Sequence, residues 1–122
     1  MSLVAILFCI LAAIHLLPAV AAMSPSQLTA LYGVSSEDTV LRTLLQHRAV
    51  LLGLVGSAFL AAAFVPDLRW AALIGGSVSM VTFLIIAAFN SELMGPLKKI
   101  TFVDAVGLPV AAILFFLLAK GV

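Results

Sequence analysis

Apolar positions along this chain form four long segments that are separated by short polar stretches. The segments cover about residues 3–22, 36–65, 70–89 and 100–119, and each reaches the ~20 residues that a helix needs to cross the hydrocarbon layer of a membrane. Backbone groups cannot stay unpaired in lipid, so each segment must be helical. The pattern predicts an all-α fold, an integral membrane four-helix bundle that forms a single transmembrane domain over residues 1–122.

The polar stretch before the second segment carries signals for the start of a helix. Residues 23–34, which include Pro25 and Gly33, are expected to form a short interfacial helix with Tyr32 at the level of the lipid head groups. Ser35 or Ser36 is then the expected N-cap of the second helix. Glu37 and Asp38 would lie in its first turn, where the helix dipole favours anions.

The basic residues are divided unequally between the two ends of the bundle. We name the end where the chain starts side A and the opposite end side B. Side A carries Arg69 and Lys120, and side B carries Arg42, Arg48, Lys98 and Lys99. Cytoplasmic loops carry an excess of Lys and Arg, so the distribution favours a cytoplasmic side B. The two sides become equal if Arg42 and Arg48 are held within the bundle.

Asp104 is expected at or inside the membrane boundary on side B. Only 15 uncharged residues separate it from Lys120. They make about 22 Å of helix at ~1.5 Å per residue, which is too short to cross a ~30 Å layer. Arg48 lies in the side-B half of the second helix, and ionisable groups within spans tend to face the interior and pair. We therefore expect Arg48 and Asp104 to meet inside the bundle.

The polar side chains near side B form a candidate ligand-binding cluster. Its members are Arg48, Asp104, His47, Asn90 and Arg42. Other interpretations stay open: Arg42 can pair with Asp38 one turn earlier, either arginine can extend to lipid head groups, and Asp104 can serve only to hold helices together. His15, deeper in the first helix, is interpreted as bonded to a neighbouring helix.

Small residues recur at helical spacing in the second and third segments. The stripe Gly53/Ser57 on one helix and the stripe Gly75/Ser79 on the next predict a close helix–helix contact, since small residues let helix backbones approach in membranes.

Composition supports membrane insertion and gives no sign of nucleic-acid binding, catalysis or a metal site. The 122 residues are 65% hydrophobic and 9% charged, with a mean hydropathy of +1.33, whereas soluble domains have roughly 25% charged residues. A net charge of +1 gives no indication of nucleic-acid binding. The first segment is expected to be retained, because no Lys or Arg precedes it and it exceeds the ~7–15 residues of a signal-peptide core. No catalytic residue, metal site or cofactor is predicted, since phosphate-loop, HExxH and paired-cysteine patterns do not occur.

The order of several short stretches resembles a family of small four-span bacterial membrane proteins. These stretches are "IHLLPAV", "LTALYGV", "LLQHRAVLLG", "LAAAF" and "GGSVSMVTFL", followed by Asn90 and Asp104, and His47-Arg48-Ala49 is the most specific part. The resemblance covers nearly the whole chain and implies a multi-pass protein of the bacterial inner membrane. Members of that family often have Asn at the position of His15, which argues against an essential ligand there.

Many members of that family are labelled phosphopantetheine adenylyltransferase, and this label does not fit the sequence. The enzyme of that name is a soluble α/β nucleotidyltransferase with a His-x-Gly-His motif. Neither His15 nor His47 is followed by x-Gly-His, and no soluble domain is left over.

Three functional hypotheses follow. The first is a non-catalytic accessory subunit or assembly partner of a larger membrane complex, which fits the small size and the small-residue stripes. The second is a protein that binds or transforms a lipid, a quinone or a similar amphiphile near Arg48, Asn90 and Asp104. The third and least supported is a b-type haem protein with His15 and His47 as axial ligands, because bundle cores can host cofactors. Membrane lipid is an expected partner in each case, and nucleic acid is not.

Overall fold

The computed structural model describes residues 2–21, 23–32, 37–90 and 98–121. Every regular element within these residues is helical, which confirms the predicted all-α class. The elements are α1 (Leu3–Ala21), α2 (Pro25–Tyr32), α3 (Thr39–Phe64), a 3-10 turn (Pro66–Leu68), α4 (Arg69–Phe89) and α5 (Lys98–Ala119). Helices α1, α3, α4 and α5 are long and apolar enough to cross a membrane.

The four long helices form a closed arrangement around one core. Helix α1 packs most extensively against α3, and further contacts join α3 to α4, α4 to α5 and α5 to α1. The core is filled by large apolar side chains from all four helices: Phe8, Leu11, Phe59, Leu73, Met80 and Leu114. Large apolar side chains also cover the outside, including Leu17 and Phe89. Tight packing inside and an apolar exterior are what a helix bundle in lipid requires.

The start of α3 is fixed by an aspartate cap. The Asp38 Oδ1 atom accepts a hydrogen bond from the Leu41 backbone N–H at 3.0 Å, and Asp38 itself has extended backbone angles. This corrects the expectation of a serine cap: Asp38 precedes the helix instead of lying in its first turn, and α3 begins at Thr39. Ser35 and Ser36 lie outside the described residues.

The turn between α3 and α4 is closed by Arg69. Its Nε donates to the Ala62 carbonyl oxygen at 2.9 Å, and its Nη2 donates to that of Ala63 at 3.1 Å. The last carbonyl groups of a helix lack partners within the helix, so a basic side chain at this position satisfies them. Pro66, which follows, cannot continue the helix. The turn therefore sets α3 and α4 antiparallel.

The structure corrects the predicted contact between the two small-residue stripes. Gly75 is exposed, and a Cβ atom placed on it would meet nothing within 4 Å. Ser57 is exposed as well, and Ser79 lines an open groove. A Cβ on Gly53 would lie 3.9 Å from the Ala19 Cβ of α1, so this glycine approaches α1 and not α4.

The close approaches occur at the neighbouring glycines Gly56 and Gly76. A Cβ on Gly76 would overlap the ring of Phe59, which is fully buried. A Cβ on Gly56 would lie 2.7 Å from Cγ of Leu16 and 3.2 Å from Cβ of His15. These glycines therefore leave room for bulky side chains from the adjacent helices.

Candidate functional site

An open groove separates the side-B halves of α3 and α4. Its volume is about 430 Å³, and nearly all of its lining is apolar. The lining residues are Arg48, Leu51, Leu52, Val55, Val78, Ser79, Thr82, Phe83 and Ile86. Of the stripe residues that were expected to bring α3 and α4 into contact, Ser79 borders this opening.

Among the described residues that line this groove, Arg48 is the charged one. It is the tenth residue of α3 and so lies about 14 Å along the helix at ~1.5 Å per residue. Its guanidinium carbon lies 4.9 Å from the centroid of the Phe83 ring on α4, a cation–π geometry. The side chain is half-buried. The contact with Phe83 therefore holds a positive charge at the groove wall.

A second, buried cavity lies on the other side of Arg48, between α1, α3 and α5. Its volume is about 50 Å³. It is lined by three polar residues and by apolar neighbours: His15, Arg48, Asp104, Ile14, Pro18, Leu52, Ile100 and Val103. Arg48 and Leu52 line both spaces, so α3 forms a shared wall between the groove and the cavity.

His15 is buried with a defined tautomer. Its Nδ1 lies 2.9 Å from the carbonyl oxygen of Leu11, and its ring centroid is 5.2 Å from that of Phe59. A carbonyl oxygen only accepts, so Nδ1 carries the hydrogen and neutral His15 presents a lone pair at Nε2. The hydrogen bond runs within α1, which corrects the expectation that His15 bonds to a neighbouring helix. Among the described residues, Nε2 has no hydrogen-bond partner.

Asp104 is 7% exposed and faces the same cavity from α5. Its carboxylate interacts electrostatically with Arg48. Opposite charges in a poorly solvated setting attract more strongly than they do in water. The structure thus brings Arg48 and Asp104 together at one cavity, and it adds His15, which the candidate cluster did not include.

The other members of the candidate cluster lie elsewhere. His47 is exposed on α3. Asn90 is exposed at the end of α4, where its Nδ2 donates to the Ile86 carbonyl oxygen at 2.7 Å. Arg42 is half-buried in the first turn of α3. None of these three lines the groove or the buried cavity.

The two histidines do not face a common space. His15 points to the buried cavity, whereas His47 is on the exposed surface of α3. Axial ligation of one haem needs both imidazoles on opposite faces of the same macrocycle, so the described side chains give the haem hypothesis no support. Within the described residues, no three His, Cys, Asp or Glu side chains are grouped to hold a metal ion.

No protein-family model, curated protein or solved structure matches this chain.

Sequence reasoning placed Arg48 and Asp104 on side B but did not single out Phe83. In the sequence, nothing distinguishes Phe83 from the other apolar residues of α4. Only the orientation of α3 relative to α4 shows that Phe83 lies next to Arg48. His15 carried a usable signal, because its distance from the end of α1 matches the depth of Asp104 in α5: both lie six residues, or about 9 Å, from the side-B end of their helix.

Proposed function

We propose that this chain is a multi-pass protein of the bacterial inner membrane that binds an amphiphile with an anionic head group in the α3–α4 groove. The observation that supports the proposal most strongly is that a charged residue, Arg48, lines an open and mostly apolar groove. The likeness of the "LLQHRAVLLG" stretch to small bacterial four-span proteins supports the location.

The chemistry of the groove suits an acyl chain and a phosphate or carboxylate. Its apolar lining offers an acyl chain a surface as apolar as lipid itself. A guanidinium offers several N–H donors in a plane and binds phosphate or carboxylate oxygens in pairs. The ring of Phe83 orients the Arg48 guanidinium before a ligand arrives, which lowers the entropic cost of binding. The proposal concerns binding and assigns no reaction.

A photoreactive phospholipid tests where the amphiphile lies. An anionic analogue with a diazirine in its acyl chain should label peptides of α3 and α4 near Val55, Val78 and Thr82, which line the groove. Labelling there should fall in Arg48→Gln, because the head group loses its charged partner.

A second groove on the same molecule is the matched control. It lies between α1 and α5 and has a volume of about 380 Å³. The described residues that line it are all uncharged: Ile10, Ala13, Ile14, Leu17, Pro18 and Val103. Its labelling should be weaker and should not respond to Arg48→Gln. Equal labelling of both grooves would show that the analogue only samples the annular lipid.

An accessory subunit is the second candidate function. The observation that favours it is the open space around Gly75, because a glycine on an exposed face of a membrane helix lets a partner helix approach closely. In mild detergent, this candidate predicts a larger complex that Gly75→Leu disrupts without unfolding the chain. A complex of the same size in the wild type and in Gly75→Leu would rule out this candidate function.

The distribution of Lys and Arg gives the proposed orientation of the protein in the membrane. With side B in the cytoplasm, four spans return the chain to side A, so the C-terminal end is outside the cytoplasm. A reporter that is active only outside the cytoplasm, fused after Lys120, should be active. The same reporter fused within residues 91–97 should be silent, and activity only at that second position would reverse the orientation.

A further inference from the structure

The buried cavity between α1, α3 and α5 combines a small volume with unusual polarity. Three of its lining residues are His15, Arg48 and Asp104. His15 is 2% exposed and Asp104 is 7% exposed, so neither side chain depends on bulk solvent for its hydrogen bonds. His15 lines this space, and its buried Nε2 has no hydrogen-bond partner among the described residues.

We propose that this cavity is a water-binding site in which water bridges His15 Nε2 to the Asp104 carboxylate and the Arg48 guanidinium. The cavity volume of about 50 Å³ exceeds the ~10–15 Å³ that one water needs. A buried water also needs two to four polar partners, and the three side chains supply an acceptor, a carboxylate and a donor. The inference goes beyond amphiphile binding, and it does not depend on it.

The hydrogen-bonding roles are complementary. Water donates one hydrogen to His15 Nε2, which can only accept because Nδ1 holds the ring hydrogen. Its second hydrogen is directed to an Asp104 oxygen, and its own oxygen accepts from an Arg48 N–H. Leaving a buried acceptor unsatisfied is unfavourable, so a water that satisfies Nε2 is favoured over a dry cavity.

Hydration gives the cavity a role in the bundle. One water network joins helices α1, α3 and α5 at the depth where Arg48 also contacts Phe83 on α4. It holds the inner side of the Arg48 side chain while Phe83 holds the groove side.

Solid-state NMR of the protein in lipid bilayers tests the site directly. The chain has 2 histidines, and the exposed His47 can be replaced by Gln so that His15 is the only source of imidazole nitrogen signals. In ¹⁵N-histidine-labelled His47→Gln protein, magnetisation that starts on water protons should transfer to His15 Nε2. The Nδ1 signal should remain that of a nitrogen with a bound hydrogen. Wild-type protein should show both histidines, which checks that the substitution leaves His15 unchanged.

Two results would overturn the proposal. The first is the absence of transfer from water to Nε2 while the exposed His47 of the wild type shows it. The second is a correlation of Nε2 with the guanidinium hydrogens of Arg48 and none with water, since Arg48 would then bond to the imidazole directly. The experiment detects only the water next to His15, so its result is independent of whether the groove binds an amphiphile.

Discussion

Replacing Arg48 with glutamine lowers the free energy of unfolding by about 3–5 kcal/mol, the usual cost of leaving a buried charge without its partner. Asp104, which interacts electrostatically with Arg48, is 7% exposed, so bulk solvent does not compensate for the lost cation. Asp104→Asn destabilises less, because Arg48 is half-buried and can turn its charge toward the groove and the head groups. Unfolding of each variant in detergent gives the two values.

A double-mutant cycle separates this coupling from other effects. The protein with both Arg48→Gln and Asp104→Asn should be more stable than the sum of the single changes predicts, by about 0.5–3 kcal/mol. The control pair combines Asp104→Asn with Lys120→Gln, because Lys120 is exposed after the end of α5. That pair should be additive. Additive effects for Arg48 and Asp104 as well would show that their energies are independent.

Gly76→Ala lowers the free energy of unfolding by about 1–3 kcal/mol, the range for overpacking a filled core. The added methyl group would overlap the ring of Phe59, which is fully buried and packs against Phe8 and His15. The ring can move only by displacing these neighbours. Midpoints of thermal unfolding in detergent measure the effect.

The adjacent glycine is a matched control for Gly76. A Cβ on Gly75 meets nothing within 4 Å, so Gly75→Ala should leave stability unchanged or raise it by up to ~1 kcal/mol, since alanine favours the helix. The same substitution one residue apart then has opposite consequences. Equal loss at both positions would mean that α4 is rotated from the arrangement described above.

The sequence predicted the helices well because length and hydropathy decide them. Segments 3–22 and 70–89 match α1 and α4 to within a residue at each end. The second helix was predicted from residue 36 and begins at Thr39, because Asp38 rather than a serine supplies the cap. Positions of polar residues along the helices were also predictable, since depth follows from ~1.5 Å per residue.

The rotation of the helices was not predictable to the same degree. Gly75 and Gly76 are neighbours in sequence but lie about 100° apart around a helix. Gly75 belongs to the predicted small-residue stripe and Gly76 lies beside it, yet the structure packs Phe59 against Gly76. For the same reason, the sequence did not show that Phe83 is the α4 residue next to Arg48. Periodicity shows that a helix has a small face, but not which bulky side chain of another helix occupies it.

Native mass spectrometry of the purified chain tests the proposed binding at Arg48 most directly. Released from mixed phospholipid bilayers, the wild type should retain an anionic phospholipid in preference to a zwitterionic one of the same chain length. A charged hydrogen bond contributes about 1.5–3 kcal/mol, so Arg48→Gln should weaken retention at least about tenfold. Lys120→Gln, which removes an exposed cation on side A, should retain the lipid as the wild type does. Equal retention by all three proteins, or no preference for the anionic lipid, would contradict the account.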